Sequence, residues 1–495
     1  MNPGNADAHA LPHGTAKRTL PWIFLAGIAL SIRLCRLDHF SYWLDEVLQT
    51  FTIRSSWHDL WGSLRRQGLH APLDYVLLKI VEGIHPSDAV RRIPAALWGT
   101  GCVLAFGALL ARRGGRPIGL ACAALLALAP YHVRYSQEVR PYSLGLFLLT
   151  ASLLALDFYL ERPNSLRLGL FYFGCLATIY ALYLAGLVLF ITAGSLIVLD
   201  GFDSEQARRV SARRFLLWSP AFIAAVAVGY FPWWSVLLRA IRSPADSAPP
   251  GFGFARLIRW FSYFGFTGQD GASLGGAELL FLALSVTGAV VASRRPRLRF
   301  LLPWVLLGLT TIEVLEHRHS EFDSIFHWLP AGLGLTALSG VGLASIIRVR
   351  VLWPGKALLL AALMLVDVRS LAAYFRTGRP DWRPVARYLA STPAGERIFV
   401  ENPYTLFCVA HYLCGPDWPP CKKAGNREVL AVHGDLPTLL QAWDRRRDAW
   451  LVLAAGPRSE ALRSWSSEFP SVRFPTAEGG GGAFVRRLHA AGVTR

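Results

Sequence analysis

The chain has 495 residues and a net charge of +18, with 53% hydrophobic residues and only 17% charged ones, and its mean hydropathy is +0.35. A soluble domain carries about 25% charged residues, so the composition excludes an ordinary soluble protein and points to the membrane. The arginines are scattered over many short segments and form no single stripe, which argues against nucleic acid as a partner.

Residues 1–16 are short, polar and His/Pro/Gly-containing and read as a disordered cytoplasmic tail in which His9 and His13 have no role. A bilayer-spanning helix needs about 20 mostly apolar residues, and about eleven such stretches follow, at 20–37, 93–111, 117–131, 141–160, 167–182, 184–199, 215–238, 277–292, 300–315, 325–347 and 353–374. The first lacks a small-residue cleavage site and runs into Arg33 and Arg36, so it reads as a retained span and not a signal peptide. The stretch 167–199 suits either one long helix or a hairpin, and charge decides for the hairpin. Only then do Lys17-Arg18, Arg112-Arg113-Arg116, Arg208-Arg209 with Arg213-Arg214, Arg294-Arg295-Arg297-Arg299 and Arg348-Arg350 share the cytoplasmic side. Much of the basic excess is then orientation signal, and the loops 38–92 and 239–276 face outward, as does everything after 377.

Within the first outer loop, Trp57, Leu60, Trp61 and Leu64 have the spacing of an interfacial helix, its tryptophans at headgroup depth and Arg65 and Arg66 reaching the phosphates of membrane lipids. The second outer loop is dense in aromatics from Phe252 to Phe266 and reads as membrane-hugging. Beyond Tyr374 the pattern changes to short alternating elements: helices near 381–391, 404–413, 436–447 and 458–468, and strands near 397–401, 450–454 and 483–487. The expected fold is therefore an all-α polytopic membrane bundle over 17–376 with a small α/β extracytoplasmic domain over 377–495. Its glycines 479–482 form a turn and not a phosphate cradle. Cys35, Cys102, Cys122 and Cys175 fall in or beside spans as packing residues, whereas Cys408, Cys414 and Cys421 cluster outside, where two of them would join in a disulfide.

Three motifs carry ionisable residues to span ends on the outer side: Asp45-Glu46 after the first span, His70-Ala71-Pro72-Leu73-Asp74-Tyr75 before the second, and Tyr135-Ser136-Gln137-Glu138-Val139-Arg140-Pro141-Tyr142 before the fourth. Ionisable groups near bilayer depth are costly and mark functional sites by default. Arg91, Arg92 and Arg134 add positive charge on the same side. Structural roles suit the same residues: the acidic pair fits a helix N-terminus, Glu138 and Arg140 fit a buried ion pair, and His70 fits a hydrogen-bonded loop residue.

In this order, together with Arg92-Ile93-Pro94, the motifs resemble those of the bacterial membrane glycosyltransferases related to protein O-mannosyltransferases, within the C-type glycosyltransferase superfold. The resemblance is carried by residues 1–160. It implies transfer of a sugar from a polyprenyl-phosphate donor to a lipid, glycan or protein acceptor, on the extracytoplasmic face of the bacterial inner membrane. Asp45 would be the general base and Glu46 would orient acceptor or loop, while Arg92, Arg140 and Arg134 would hold the departing phosphate. His70, Asp74, Tyr75, Tyr135, Gln137, Glu138 and Tyr142 would complete the substrate site. The relatives carry Arg-Tyr before the proline matching Pro330, whereas this chain has Asp323-Ser324; a carrier-phosphate contact there is either lost or supplied by His317, Arg318 or His327.

No cofactor is required by this chemistry. A divalent metal is possible, because Glu316, His317, His319, Glu321 and Asp323 crowd one outer loop, which equally suits a solvated polar segment. A transporter would also show many spans with scattered charges, but the chain has no clear internal repeat and its polar motifs sit at span ends, not at the midplane. A non-catalytic envelope assembly protein would have no use for the intact Asp45-Glu46 pair.

Overall fold

The structure, a computed structural model, describes residues 13–67, 71–202, 205–242, 254–265, 275–318, 325–348, 353–376, 381–393, 396–414, 423–424, 427–432, 436–444, 447–454, 460–467, 469–474 and 483–489. The first helices are α1 (His13–Leu34), α2 (Leu44–Arg54), α3 (Trp57–Gln67), α4 (Pro72–Ile84), α5 (Asp88–Gly114), α6 (Arg116–Leu128), α7 (Pro130–Tyr135) and α8 (Tyr142–Glu161). They are followed by α9 (Ser165–Ala181), α10 (Tyr183–Asp200), α11 (Gln206–Tyr230), α12 (Trp234–Arg242), α13 (Phe254–Phe264), α14 (Gly276–Arg294), α15 (Leu301–Arg318), α16 (Leu329–Arg348) and α17 (Trp353–Arg376).

Among the described residues, eight helices are long and apolar enough to cross a membrane, and three shorter apolar helices, over Thr19–Leu34, Arg116–Leu128 and Ser165–Ala181, occupy the other expected positions. The expected span 117–131 is cut short because Pro130 disfavours helix at the residue before it and starts α7 afresh. Helix α5 begins earlier than its apolar run, because the Ser87 hydroxyl accepts from the Val90 N–H and caps it. Helices α9 and α10 are separate, as charge required: Leu182 is extended between them, and a Cβ on Gly186 would lie 2.8 Å from the Ile179 side chain, an approach that demands a sharp turn. Helices α14 and α16 meet backbone to backbone, since a Cβ on Gly288 would lie 1.8 Å from the Leu338 carbonyl oxygen.

Both α5 and α8 run from the outer motifs to the opposite end of the bundle, Arg92 and Arg113 being about 30 Å apart along α5. There Arg113 bridges Asp157 at 2.6 Å and Asp200 at 2.7 Å, Arg208 joins Asp157 at 2.8 Å, and Arg112 binds Asp157 and Glu161. Arg297 pairs with Glu205, and Arg348 lies beside Gly115. The basic segments thus share one end, as the hairpin demands. Arg113 and Arg208 are more than orientation signal, however, because both are buried against carboxylates that the spans themselves contribute.

The outer loop 38–92 folds as α2, α3 and α4. Leu60 and Leu64 turn inward while Trp57 and Trp61 stay half-exposed, giving α3 its amphipathic character. The aromatic loop departs from expectation: Trp260, Tyr263 and Phe264 of α13 are buried in the bundle core and do not lie along a membrane surface.

The C-terminal part comprises α18 (Trp382–Ser391), β1 (Arg397–Val400), α19 (Pro403–Cys414), β2 (Lys423–Ala424), β3 (Arg427–Ala431), α20 (Leu436–Ala442), β4 (Ala449–Ala454), α21 (Glu460–Ser466), β5 (Ser471–Phe474) and β6 (Ala483–Leu488). The sheet order is β2-β3-β1-β4-β6-β5, with β1 parallel to β3 and β4 and the remaining pairs antiparallel. Successive strand residues point to opposite faces, and the core divides accordingly. Ile398, Val400, Trp450, Val452 and Val485 pack with α18, α19 and the α2–α4 helices, whereas Phe399, Leu451, Leu453 and Leu488 pack with α20 and α21.

Cys102, Cys122 and Cys175 are buried as expected, but Cys35 is exposed at the end of α1. Cys408 and Cys414 both lie on α19, about 120° apart around its axis, so they do not face one another. Cys421 lies outside the described residues, as do residues 1–12 and the glycines 479–482.

Replacing Asp157 with alanine leaves Asp200 as the only carboxylate that Arg113 and Arg208 share in a buried setting and should cost roughly 3–5 kcal/mol of stability. The half-exposed Glu161→Ala should cost less than about 1 kcal/mol. Thermal unfolding of the two purified variants against the parent measures the difference.

Candidate active site

The Asp45-Glu46 pair opens α2, and the helix sends the two side chains about 100° apart. Glu46 turns inward and is fully buried. Its carboxylate receives two bonds from Arg92, Nε to Oε1 at 3.0 Å and Nη2 to Oε2 at 2.9 Å, together with the Val139 N–H at 2.9 Å and the Trp43 N–H at 3.4 Å. Arg92 is equally engaged: Nη1 donates to Leu37 O at 2.7 Å and Phe40 O at 2.8 Å, and the guanidinium lies 4.8 Å from the Tyr42 ring centre. Arg92, expected to hold substrate, and Glu46, expected to orient acceptor or loop, are thus bonded to each other. Each is the other's partner, and together they fasten α2, α5 and the loop before α8.

Asp45 faces the other way, with about a quarter of its side chain exposed, and stands 3.4 Å from Arg140 Nη2. Arg140 also donates to Gln49 Oε1 at 3.3 Å and to the Tyr142 hydroxyl at 3.4 Å, while its Nε is buried without a hydrogen-bond partner. Gln49 in turn donates to Asp74 Oδ2 at 2.5 Å. Burial pushes the Asp74 carboxyl up to about 6, with Gln49 and Arg140 pulling the other way. Tyr75 is buried within electrostatic reach of Arg140, Asp74, Asp45 and Tyr142. The three motifs therefore meet, as their topology requires.

The Tyr135–Tyr142 segment is held from behind. Gln137 Nε2 donates to Arg33 O at 3.0 Å and Cys35 O at 2.8 Å, capping the end of α1, and its Oε1 accepts from the Tyr374 hydroxyl at 3.0 Å. Gln137, expected as a substrate contact, thus ties the end of α1 to α17. Arg33, fully buried, donates to Ala127 O, Leu126 O and Ser136 Oγ and contacts His132 Nδ1 at 2.7 Å. Burial, and then the Arg33 charge, hold His132 well below the ordinary histidine range. Glu138 pairs with Arg134 at 3.4 Å and not with Arg140, and the Arg134 side chain is 36% exposed.

Tyr135 accepts from the Tyr263 hydroxyl at 2.8 Å and meets the Tyr142 ring at 5.1 Å. Sequence reasoning missed Tyr263, hidden among the aromatics of its loop, and also Gln49, one helical turn beyond Asp45. Gln49 was visible only as a polar residue on the inward face of an otherwise apolar turn. Phe326 stacks 5.0 Å from Tyr142, which brings the short helix Ile325–Trp328, and with it His327, to the site's flank.

His70 lies outside the described residues. Among the described residues no three His, Cys, Asp or Glu side chains converge as metal ligands. The side chains of Glu316 and His317, and residues His319, Glu321, Asp323 and Ser324, are also outside them.

No protein-family model and no curated protein matches the sequence. Solved structures do match in shape. ArnT from Cupriavidus metallidurans in the apo state superposes with a TM-score of 0.55 at 12% identity, over 96% of this chain and 99% of that one. The same protein bound to undecaprenyl phosphate gives 0.51 at 13% identity over 96% and 99%. The archaeal oligosaccharyltransferase AglB from Archaeoglobus fulgidus, in complex with an inhibitory peptide and a dolichol-phosphate, gives 0.51 at 11% identity, over 81% of this chain and 64% of that one. The fold of this chain is thus similar to those of ArnT and AglB. The acidic pair, the buried arginines and the Tyr135–Tyr142 segment occupy one end of the helical bundle, where it meets the C-terminal sheet domain.

A carboxyl raised by burial holds its proton in the folded state over a range where the unfolded chain has lost it, so its contribution to stability declines as pH rises from about 4 to about 6. Asp74→Asn removes that titration. The difference in unfolding midpoint, variant minus parent, should therefore shift in favour of the variant as the pH is taken from 4 to 7; a difference independent of pH would show that Asp74 titrates normally.

Proposed function

We propose that the protein is an integral-membrane glycosyltransferase that moves a hexosyl or pentosyl group from a polyprenyl-phosphate donor to an acceptor hydroxyl or lipid phosphate, on the extracytoplasmic face of the bacterial inner membrane. The observation that carries this reading is the Asp45–Arg140 pair: a part-exposed carboxylate 3.4 Å from a buried guanidinium, at the outer ends of the spans in a fold shared with an undecaprenyl-phosphate-bound protein.

In the reaction the acceptor oxygen attacks the anomeric carbon from the face opposite the phosphate. A bond forms between that oxygen and the carbon, the carbon–oxygen bond to the phosphate breaks, and the acceptor proton passes to Asp45. One carboxylate suffices for inversion, because the leaving phosphate is already a weak base and needs cations more than a proton. Arg140, with its neighbour Arg134, supplies that charge. Glu46 and Arg92 are positioning residues that fix the start of α2. As long as the donor is absent, Arg140 neutralises Asp45. A phosphate drawing on Arg140 weakens that contact and raises the carboxylate's affinity for a proton, which couples donor binding to activation of the base.

Loss of a general base lowers the rate typically about 10²–10⁴-fold. Purified protein offered radiolabelled polyprenyl-phosphate sugars with membrane extract should transfer label, and Asp45→Asn should reduce transfer to that extent while retaining donor binding. Equal transfer by parent and variant would remove Asp45 from the chemistry.

A further inference from the structure

The groove that carries the next inference lies at the opposite end of the bundle from Asp45. Between α10, α14 and the start of α15 it encloses about 410 Å³, and its lining is apolar, including Val198, Leu199, Leu302 and Pro303, apart from two serines and one charged residue, Arg299. Nε of Arg299 donates to Ser293 O at 3.0 Å, which ties the guanidinium to the end of α14 and leaves its other nitrogens turned to the surroundings.

The segment Ser293-Arg294-Arg295-Pro296-Arg297-Leu298-Arg299 contains four arginines and no acid. Arg297 is taken by Glu205. Among the described residues no ion pair forms to Arg294, Arg295 or Arg299, in contrast to the balanced ionic cluster of Arg112, Arg113 and Arg208 with Asp157, Glu161 and Asp200 at the same end of the bundle. On the approach to this segment, α14 exposes Val286 and Val290 and α10 exposes Val198, so an outward apolar wall ends where the arginines begin. That is the profile of acyl-chain depth giving way to headgroup depth.

We propose that this groove binds an anionic phospholipid, one acyl chain lying along Val198, Leu199 and Leu302 and the headgroup phosphate held by Arg299 and Arg294. An arginine fork matches phosphate geometry, and the apolar lining removes the chain from contact with polar groups. The surplus of arginine disfavours a zwitterionic headgroup, whose amine would face the same cations. The site needs no part of the sugar-transfer reading and stands or falls without it.

The full chain in detergent micelles, titrated with phosphatidylglycerol or phosphatidylcholine and read by native mass spectrometry, tests the proposal. The anionic lipid should be retained preferentially, and Arg299→Gln and Arg294→Gln should each lower its retention about fivefold, the effect of one cation at an anionic headgroup. Ser195→Trp, which fills the groove and leaves every arginine in place, should abolish the preference while unfolding at the parent's temperature. Equal retention of the two lipids, displacement by inorganic phosphate alone, or unchanged retention in Ser195→Trp would each overturn it.

Discussion

The arrangement of the candidate site rests on one buried ion pair, Arg92 with Glu46. Taking both charges out of water is expensive, and such a pair is tolerated only where hydrogen bonds satisfy what remains of both groups. Here they do. The carboxylate takes two guanidinium bonds and two backbone N–H groups, and the guanidinium finds two carbonyls in the 37–40 turn. Four separate pieces of chain are thereby fixed relative to one another: the end of the first span, the start of α2, the start of α5 and the backbone at Val139. Asp45 is placed by its neighbour's burial, since a helix that points residue 46 inward must turn residue 45 about 100° away.

The C-terminal domain closes on the same turn. The Tyr42 N–H donates to the Tyr412 hydroxyl at 2.7 Å, and that hydroxyl donates to Asp88 Oδ2 at 2.9 Å. Arg383 reaches Asp38 O and His39 O, each at 2.6 Å, and the Trp382 N–H reaches Ser41 Oγ. The contact is also apolar, because Tyr42, Val47 and Ile53 share one core with Val385, Val400 and Val409. The C-terminal domain therefore belongs mechanically to the site, holding the residues that immediately precede Asp45.

The spans were legible in the sequence because a long apolar run has few alternative fates, and their pairing was legible because the arginine segments had to share an end. The limits of that reading are local. Pro130 divides a stretch whose hydropathy is continuous, and β2, β3 and β5 are short, polar or edge segments with little alternation to betray them. At the site the motifs were visible but the division of labour was not. Asp45 and Glu46 are chemically alike and adjacent, and Arg92 and Arg140 are both outer arginines. Which of each pair is enclosed depends on Val139, Leu37 and Phe40, and so on tertiary contacts that no spacing encodes. Tyr263 was hidden for a related reason, since an aromatic-rich loop looks the same in sequence whether its rings face lipid or the Tyr135 hydroxyl.

Contact lengths separate the site's arginines by what each has left to give. Arg92 is bound at 2.7–3.0 Å on every side, whereas the contacts of Arg140 to Asp45, Gln49 and Tyr142 are 3.3–3.4 Å and its Nε has none. Charge-assisted bonds of well-matched partners lie near 2.7–2.9 Å, so Arg140 is held loosely for a buried cation. Around it stand Asp45 and Asp74, the latter with its carboxyl raised towards neutral pH by burial. In the proposed reaction a donor phosphate would add negative charge to a site whose described arginines are all paired already, and would therefore take an arginine from an existing partner. Withdrawing Arg92 would dismantle the junction of α2 with α5. Withdrawing Arg140 would break only long contacts, among them the 3.4 Å contact to the part-exposed Asp45.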